Sequence, residues 1–313
     1  MAARSVKRTL ETIWSISVYE GPTPFTMTPI VQSELPVITH TNVSDIQATF
    51  VADPFLLKHK NVWHIFMEVM NGNSAMGEIA LSSSTDLKTW NFQKVVLKEN
   101  FHLSYPYVFQ WQDDFYMLPE TLGASAVRIY KSSNFPFDWK HSADLLSGRY
   151  SDPSILRYNQ RWWLFVCVAN SKQGTLELYY SDHLMGPYVS HPMNPIINGD
   201  NAIARPAGRL IRYEESLFRF AQDCQPYYGS AVRAFEITTL STTDYQEKEI
   251  ANSPILGATG KNWNSDGMHH IDAHQVDTHR WVAAVDGCVR RFSSSRASSG
   301  NNGAARPDPT TEI

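Results

Sequence analysis

Apolar and polar positions alternate in short runs along most of the chain, and the runs come in pairs around a polar turn. The stretch "FVADPFLLKHKNVWHIFMEV" (Phe50 to Val69) reads as a strand, a basic turn and a second strand ending on Glu68. "SYPYVFQWQDDFYMLPET" (Ser104 to Thr121) repeats that plan, turning at Gln112-Asp113-Asp114 and closing on Glu120. "YSDPSILRYNQRWWLFVCV" (Tyr150 to Val168) follows, with Val168-Ala169-Asn170 at its close. "ARPAGRLIRYEESLFRFAQD" (Ala204 to Asp223) turns at Glu214-Glu215, and "MHHIDAHQVDTHRWVAAVDG" (Met268 to Gly287) turns at Asp277-Thr278-His279 and again ends in an acid. Period-two alternation between turn residues predicts strands.

The units start near positions 52, 104, 151, 204 and 268, a spacing of about fifty residues that suits one four-stranded propeller blade. A third strand follows each of the first four units: "GEIALSSS", "SAVRIYKSS", "GTLELYYSD" and "GSAVRAFEI". After three of these comes a short segment with an aromatic, Leu87-Lys88-Thr89-Trp90, Phe137-Asp138-Trp139 and Gly186-Pro187-Tyr188. A fourth strand is expected next, as in "QKVVLKE". A β-sandwich also uses short alternating strands, but five units in one order favour an all-β, five-bladed β-propeller. The last unit lacks evident outer strands. The alternating "TIWSISVYE" (Thr12 to Glu20) lies outside the five units and is expected to complete that blade, since an open edge strand invites aggregation. The expected organisation is a flexible segment over 1–11, one propeller domain over 12–288, and a Ser-, Gly-, Asn- and Pro-rich disordered tail over 289–313.

Composition narrows the function classes. An aromatic fraction of 12% within an apolar 42% agrees with β structure. A formal net charge of −4 with no basic face argues against nucleic acid or an anionic membrane. No run reaches the ~18 apolar residues of a membrane span. The start has no apolar signal region and the three cysteines no framework or metal spacing, so a reduced, cytoplasmic setting is expected.

In a propeller the first strand of each blade lines the central channel, so the residues at the unit starts converge on one funnel. Those residues are Asp53, Tyr105, Asp152, Arg205 and His270. Asp-Pro serves as a turn device on its own, but such a device would recur in every blade, whereas this set differs blade by blade as a binding site would. Carboxylates, an arginine and imidazoles around one pocket suit a polyhydroxylated or anionic small molecule or glycan. Tyr105, Tyr107, Trp111 and Tyr228 are the aromatics available to cover sugar faces. Glycoside hydrolysis needs one carboxylate as base or nucleophile and a second group as acid.

Several segments, "YEGPTPF", "FVADPFLL", "GEIALSSSTDLKTW", "HLSYPYVF", "MLPET" and "RPAG…RFAQDCQPYYG", carry a family likeness. From about Trp14 to Cys288 the chain resembles the five-bladed domain that precedes the transferase domain of plant glucosamine inositolphosphorylceramide transferases. The length leaves no room for the transferase domain, so its activity is not expected here. More distantly, the Asp-Pro blade starts are similar to the glycoside hydrolase superfamily that includes families 32, 43, 62, 68 and 117. The family 43 resemblance implies Asp53 as general base and Asp152 as the residue that tunes the acid's pKa. Its general-acid Glu falls where this chain has Ala204-Arg205-Pro206, and arginine stays charged at neutral pH. Glu120 or a histidine, His269 or His270, is then expected as the acid, the latter as in family 117. Glu68 and Asp223, at strand ends like that of Glu120, join as candidate ligand contacts.

"GMHHIDAH" places His270, Asp272 and His274 on one strand face. No cofactor is expected beyond a cation that such a cluster admits in the channel, calcium before zinc. The expected function is that of a glycosidase-like enzyme acting on a small, furanose-type unit, with Arg205 orienting a substituent. A carbohydrate-binding accessory propeller and a cyclisation or elimination on a specialised metabolite remain as alternatives.

Overall fold

Each paired run becomes the inner half of a twisted antiparallel sheet, and five such sheets close into a ring. The computed structural model describes residues 8–31, 35–169 and 174–294. Blade one comprises Ala48–His59, Val62–Asn71, Met76–Ser84 and Asn91–Leu97. Blade two comprises Ser104–Trp111, Asp114–Glu120, Ala126–Asn134 and Asp138–Ser147. In blade three Tyr150–Tyr158, Arg161–Val168 and Thr175–Ser181 carry two short edge strands, Val189–Ser190 and Ile197–Asn198. Asn170, read as part of that unit's close, lies outside the described residues.

Blade four has a broken inner strand, Arg205–Pro206 and Ile211–Tyr213, followed by Ser216–Asp223, Ala231–Leu240 and the edge pieces Tyr245–Glu249 and Leu256–Gly257. Gly208 causes the break. It sits at φ +131°, bridges to Ile271 of blade five, and an added Cβ would lie 1.8 Å from the Ile271 carbonyl oxygen. Gly208→Ala is therefore expected to cost about 3 kcal/mol, seen as a lower urea midpoint. Gly257→Ala, where a Cβ meets nothing nearer than 3.6 Å, should leave the midpoint in place.

The expected closure by the N-terminal strand is present. Blade five is Ile271–Asp277, Arg280–Ser294, Arg8–Thr23 and Thr26–Pro29 in that order. Its long central ladder runs from Arg8↔Ser294 to Gly21↔Trp281, so the domain is wider than 12–288. Composition suggested that the chain loses order after Cys288, yet backbone pairing with 8–13 carries the strand on to Ser294. The rest of the expected tail, 295–313, and residues 1–7 lie outside the described residues.

Alternation explains why the sequence is so apolar within these strands. Phe66 and Leu81 of blade one point towards blade two, where Val108, Leu118 and Ile129 meet them. Ile65, Met67 and Ala80, one residue out of phase, face Val18 and Val282 of blade five. Both faces of each sheet are thus buried between blades. The aromatic segments after the third strands form a repeated clasp. Trp90 Nε1 donates to the Leu87 carbonyl at 3.2 Å, Trp139 Nε1 to Pro136 at 3.0 Å, and the Tyr188 hydroxyl to Leu184 at 3.0 Å.

Candidate active site at the acidic mouth of the channel

Three blade starts share one backbone device. Asp53, Tyr105 and Asp152 have φ of 50°, 48° and 49°, each before a proline, and each inner ladder shifts register there. Asp tolerates this left-handed conformation; Tyr does so only when its surroundings hold it. Here they do: the Tyr105 hydroxyl accepts from Gly208 N at 2.6 Å and contacts Ser154 Oγ at 2.8 Å. The repeated opener is thus a bulge that presents a side chain at the channel end, and the residue type decides what it presents.

Asp53 is 5% exposed and lies at the centre of the site. Its Oδ2 accepts from Tyr105 N at 3.2 Å, while Oδ1 has no hydrogen-bond partner. His269 Nε2 stands 3.6 Å from Oδ1, and His269 Nδ1 is bound to Asp286 Oδ1 at 2.8 Å. Asp286 Oδ2 also accepts the Asp53 backbone N–H at 3.0 Å. Trp14 stacks on the His269 ring with centroids 4.0 Å apart. Burial lifts the Asp53 carboxyl to about 7, with Asp152 and Asp286 pushing the same way against His269. Burial disfavours charge on His269, but Asp286, Asp53 and Asp152 outweigh it and raise its pKa.

Across the mouth, Arg205 Nε donates to Asp152 Oδ2 at 2.5 Å and Gln222 Nε2 donates to the same oxygen at 2.8 Å. The Arg205 guanidinium lies 5.1 Å over the Tyr228 ring and 3.7 Å from Glu120 Oε2. Glu120 accepts the Asp152 backbone N–H at 3.2 Å. Burial, then Asp152, carries the Glu120 carboxyl to about 8 despite Arg205. Glu68 is raised well above the ordinary range by burial and by the charges of Asp53, Glu120, Asp152 and Asp286, and His102 stands 3.3 Å away.

The structure therefore brings together Asp53, Asp152, Glu120, Arg205, His269, Tyr228 and Glu68. It does not bring in the others. Asp223 is committed to Arg233 at 2.7 Å and to Gln225 N at 3.0 Å. Tyr105 is fully buried beneath the mouth, and the Tyr107 hydroxyl donates to the Ile155 carbonyl at 2.6 Å. Trp111 closes its inner strand at the opposite end, under Arg157. His270, expected as an alternative acid, is 0% exposed between Phe55 and Tyr105, and burial lowers it to about 4. A neutral imidazole has no proton to give at pH 7 of the kind a general acid supplies.

His270 stands at the head of the channel-lining strand of blade five, with Asp272 and His274 within it; His270 packs against Phe55, whereas Asp272 and His274 bond to each other. They succeed one another down the channel, and Asp272 accepts from Arg209 at 2.8 Å, His274 at 2.9 Å and Leu56 N at 2.6 Å. Among the described residues one group could hold an ion: atoms of Asp53, His269 and Asp286 all lie within 4.8 Å of one another. The 2.8 Å His269–Asp286 pair already supplies the counter-charge there, so the group reads as an ion pair aimed at Asp53. Trp14, Gln222 and Asp286 were not foreseen. Asp286 had a signal, the acid closing the fifth unit.

Comparison with known proteins places this geometry. Residues 6–288 match the family model described as glucosamine inositolphosphorylceramide transferase 1, N-terminal. The chain is 33% identical over 295 residues to glucosamine inositolphosphorylceramide transferase 1 of Oryza sativa subsp. japonica, covering 88% of this chain and 40% of that one. To the Arabidopsis thaliana protein of that name it is 34% identical over 296 residues, covering 88% and 39%. The chain thus spans about 40% of the length of these relatives. Among solved structures, a thermostable family-43 glycoside hydrolase superposes with a TM-score of 0.54 at 13% identity, covering 82% of this chain and 96% of that one. A family 117 glycoside hydrolase of Zobellia galactanivorans gives 0.54 at 12% identity, covering 88% and 90%. The GH62 α-L-arabinofuranosidase catalytic domain of Coprinopsis cinerea gives 0.57 at 12%, covering 87% and 97%. At such identities the likeness is one of fold, the five-bladed propeller. The sequence match is what assigns the family: the chain belongs to that of the N-terminal domain of glucosamine inositolphosphorylceramide transferase 1.

Proposed function

We propose that the acidic mouth binds a small glycosyl unit and hydrolyses its glycosidic bond. The observation that carries this reading is a pair of buried carboxyls in different surroundings: Asp53, with a partnerless oxygen 3.6 Å from His269, and Glu120, which accepts the Asp152 N–H with Arg205 3.7 Å away, both lifted by burial towards neutral pH. Environments that let one carboxyl ionise while another keeps its proton separate a base or nucleophile from an acid. Asp53 acts as base or nucleophile, backed by the His269–Asp286 pair. Glu120 protonates the leaving oxygen, and Asp152 raises its pKa while fixing Arg205 beside it. Tyr228 supplies ring surface at the rim, the buried Trp14 holds the His269 ring by stacking, and Arg205 orients a hydroxyl-rich or anionic substituent.

A binding-only propeller is the second reading. It is favoured by Arg205, which stands where a family 43 enzyme is expected to carry its acid and locks Asp152 at 2.5 Å. The relatives' name adds glucosaminyl inositol-phosphoryl glycans to the ligands worth testing.

An aryl-glycoside panel that includes furanosides and glucosaminides separates the two. Cleavage is expected, with a bell-shaped pH dependence. Activity rises as Asp53 loses its proton near 7 and falls as Glu120 loses its own near 8. These limbs belong to the coupled pair of acids rather than to either residue alone. Glycan binding that raises the melting temperature without cleavage of any panel member would hand the site to the second reading.

A further inference from the structure

The channel has a second mouth, and its chemistry differs from the first. The inner strands run in one direction, so Asp53 and Asp152 mark one end while Lys58, Gln110 and His274 mark the other. Five residues of strand separate Asp53 from Lys58, on the order of 16 Å. A septum divides the two ends. Phe55, Tyr105 and His270 are each 0% exposed, with ring centroids between 4.6 and 5.3 Å apart. The Tyr105 hydroxyl is tied to Ser154 and Gly208 behind them.

Beyond the septum lies a cavity of about 430 Å³, within the ~300–1,000 Å³ typical of small-molecule sites. Leu56, Val108, Phe109, Val276 and Trp63 give it apolar walls. No acidic side chain lines it. Behind the lining, Asp272 is 0% exposed, with its oxygens filled by Arg209, His274 and the Leu56 N–H. Burial pushes the Asp272 carboxyl up, but Arg209 and His274 overcome this and hold it at about 2, so it is ionised and offsets Arg209.

Cationic donors are left facing the cavity. Arg209 lines the cavity while it spends Nε and Nη2 on Asp272 and the Val108 carbonyl, with its guanidinium 4.7 Å over the Tyr107 ring. Lys58 Nζ sits 5.3 Å over the Trp63 ring and forms no ion pair with a described carboxylate. One positive charge is thus uncompensated beside an apolar, aromatic-walled space. A charge-assisted bond from lysine and arginine to an anionic oxygen is about twice as strong as a neutral one. We infer that this far mouth is a second ligand site, which takes a small molecule presenting a carboxylate or phosphate to Lys58 and Arg209 and laying an apolar body against Trp63 and Val276.

Isothermal titration of the full chain with phenyl phosphate tests this, with inorganic phosphate and phenol as the separate halves of the probe. One saturable site per chain is expected for phenyl phosphate, and binding at least tenfold weaker for either half. Lys58→Met keeps the apolar stem and removes the charge, so it should weaken phenyl phosphate at least tenfold. Asp53→Asn, beyond the septum, should leave that binding unchanged. Absence of saturable binding, full retention in Lys58→Met, or loss in Asp53→Asn would overturn the inference.

Discussion

Asp53→Asn is expected to lower kcat/KM on any cleaved glycoside by ~10³-fold, the scale of a lost general base. The same change should not weaken the fold. Asp53 has a carboxyl at about 7 in the folded chain against 3.8 when unperturbed, because burial disfavours its charge. Between those two values the unfolded chain has released the proton and the folded one still holds it. Stability therefore falls as pH rises through that window, and the loss is complete above it. Asparagine carries no such penalty, and its side-chain oxygen can still accept the Tyr105 N–H. Thermal melts should place the variant at or above the parent at pH 8, with no advantage at pH 4. A variant that loses activity and melts well below the parent at pH 8 would show Asp53 to be a structural residue instead. Glu120→Gln complements it: the alkaline limb vanishes from the pH profile of the remaining activity, while the low-pH limb stays, shifted because its coupled partner is gone.

Arg219→Ala is expected to be among the most damaging single changes away from the site. Arg219 is 1% exposed, and its guanidinium spans both Glu247 oxygens, at 2.7 and 2.5 Å, and the Ile203 carbonyl at 2.8 Å. Tyr245 donates to the same glutamate. Removing one partner of such a buried pair strands the other charge, at ~3–5 kcal/mol, which for a chain of this size lowers the melting temperature by roughly 5–8 °C. Replacing both partners, Arg219→Met with Glu247→Met, should recover most of the loss, since the pair's net worth over apolar side chains is small. A shift of under about 2 °C for Arg219→Ala would refute the account.

The architecture was legible because its cause is local. Alternation, turn chemistry and the fifty-residue spacing are properties of contiguous sequence, and even the closing strand announced itself as an alternating run without a partner. The site was legible in half. Blade starts could be aligned with one another, so Asp53, Asp152 and Arg205 were found. The acids at the second-strand ends could be aligned too, but their fates depend on the neighbouring blade. Glu120 meets Arg205, Asp223 meets Arg233, and Asp286 meets His269 and reaches Asp53 across 233 residues. No single strand encodes those meetings. His270 shows the converse failure: its position in the unit is that of a mouth residue, while its depth, set by Phe55 and Tyr105, is that of a plug.

The paired strands of blade five have one more consequence. Arg280–Ser294 runs antiparallel to the channel-lining Ile271–Asp277, and so it travels towards the end of the ring where Asp53 lies, with Arg8 beside Ser294 at its tip. Residues 8 and 294 therefore lie side by side on the Asp53 side of the ring, at the far end from Lys58.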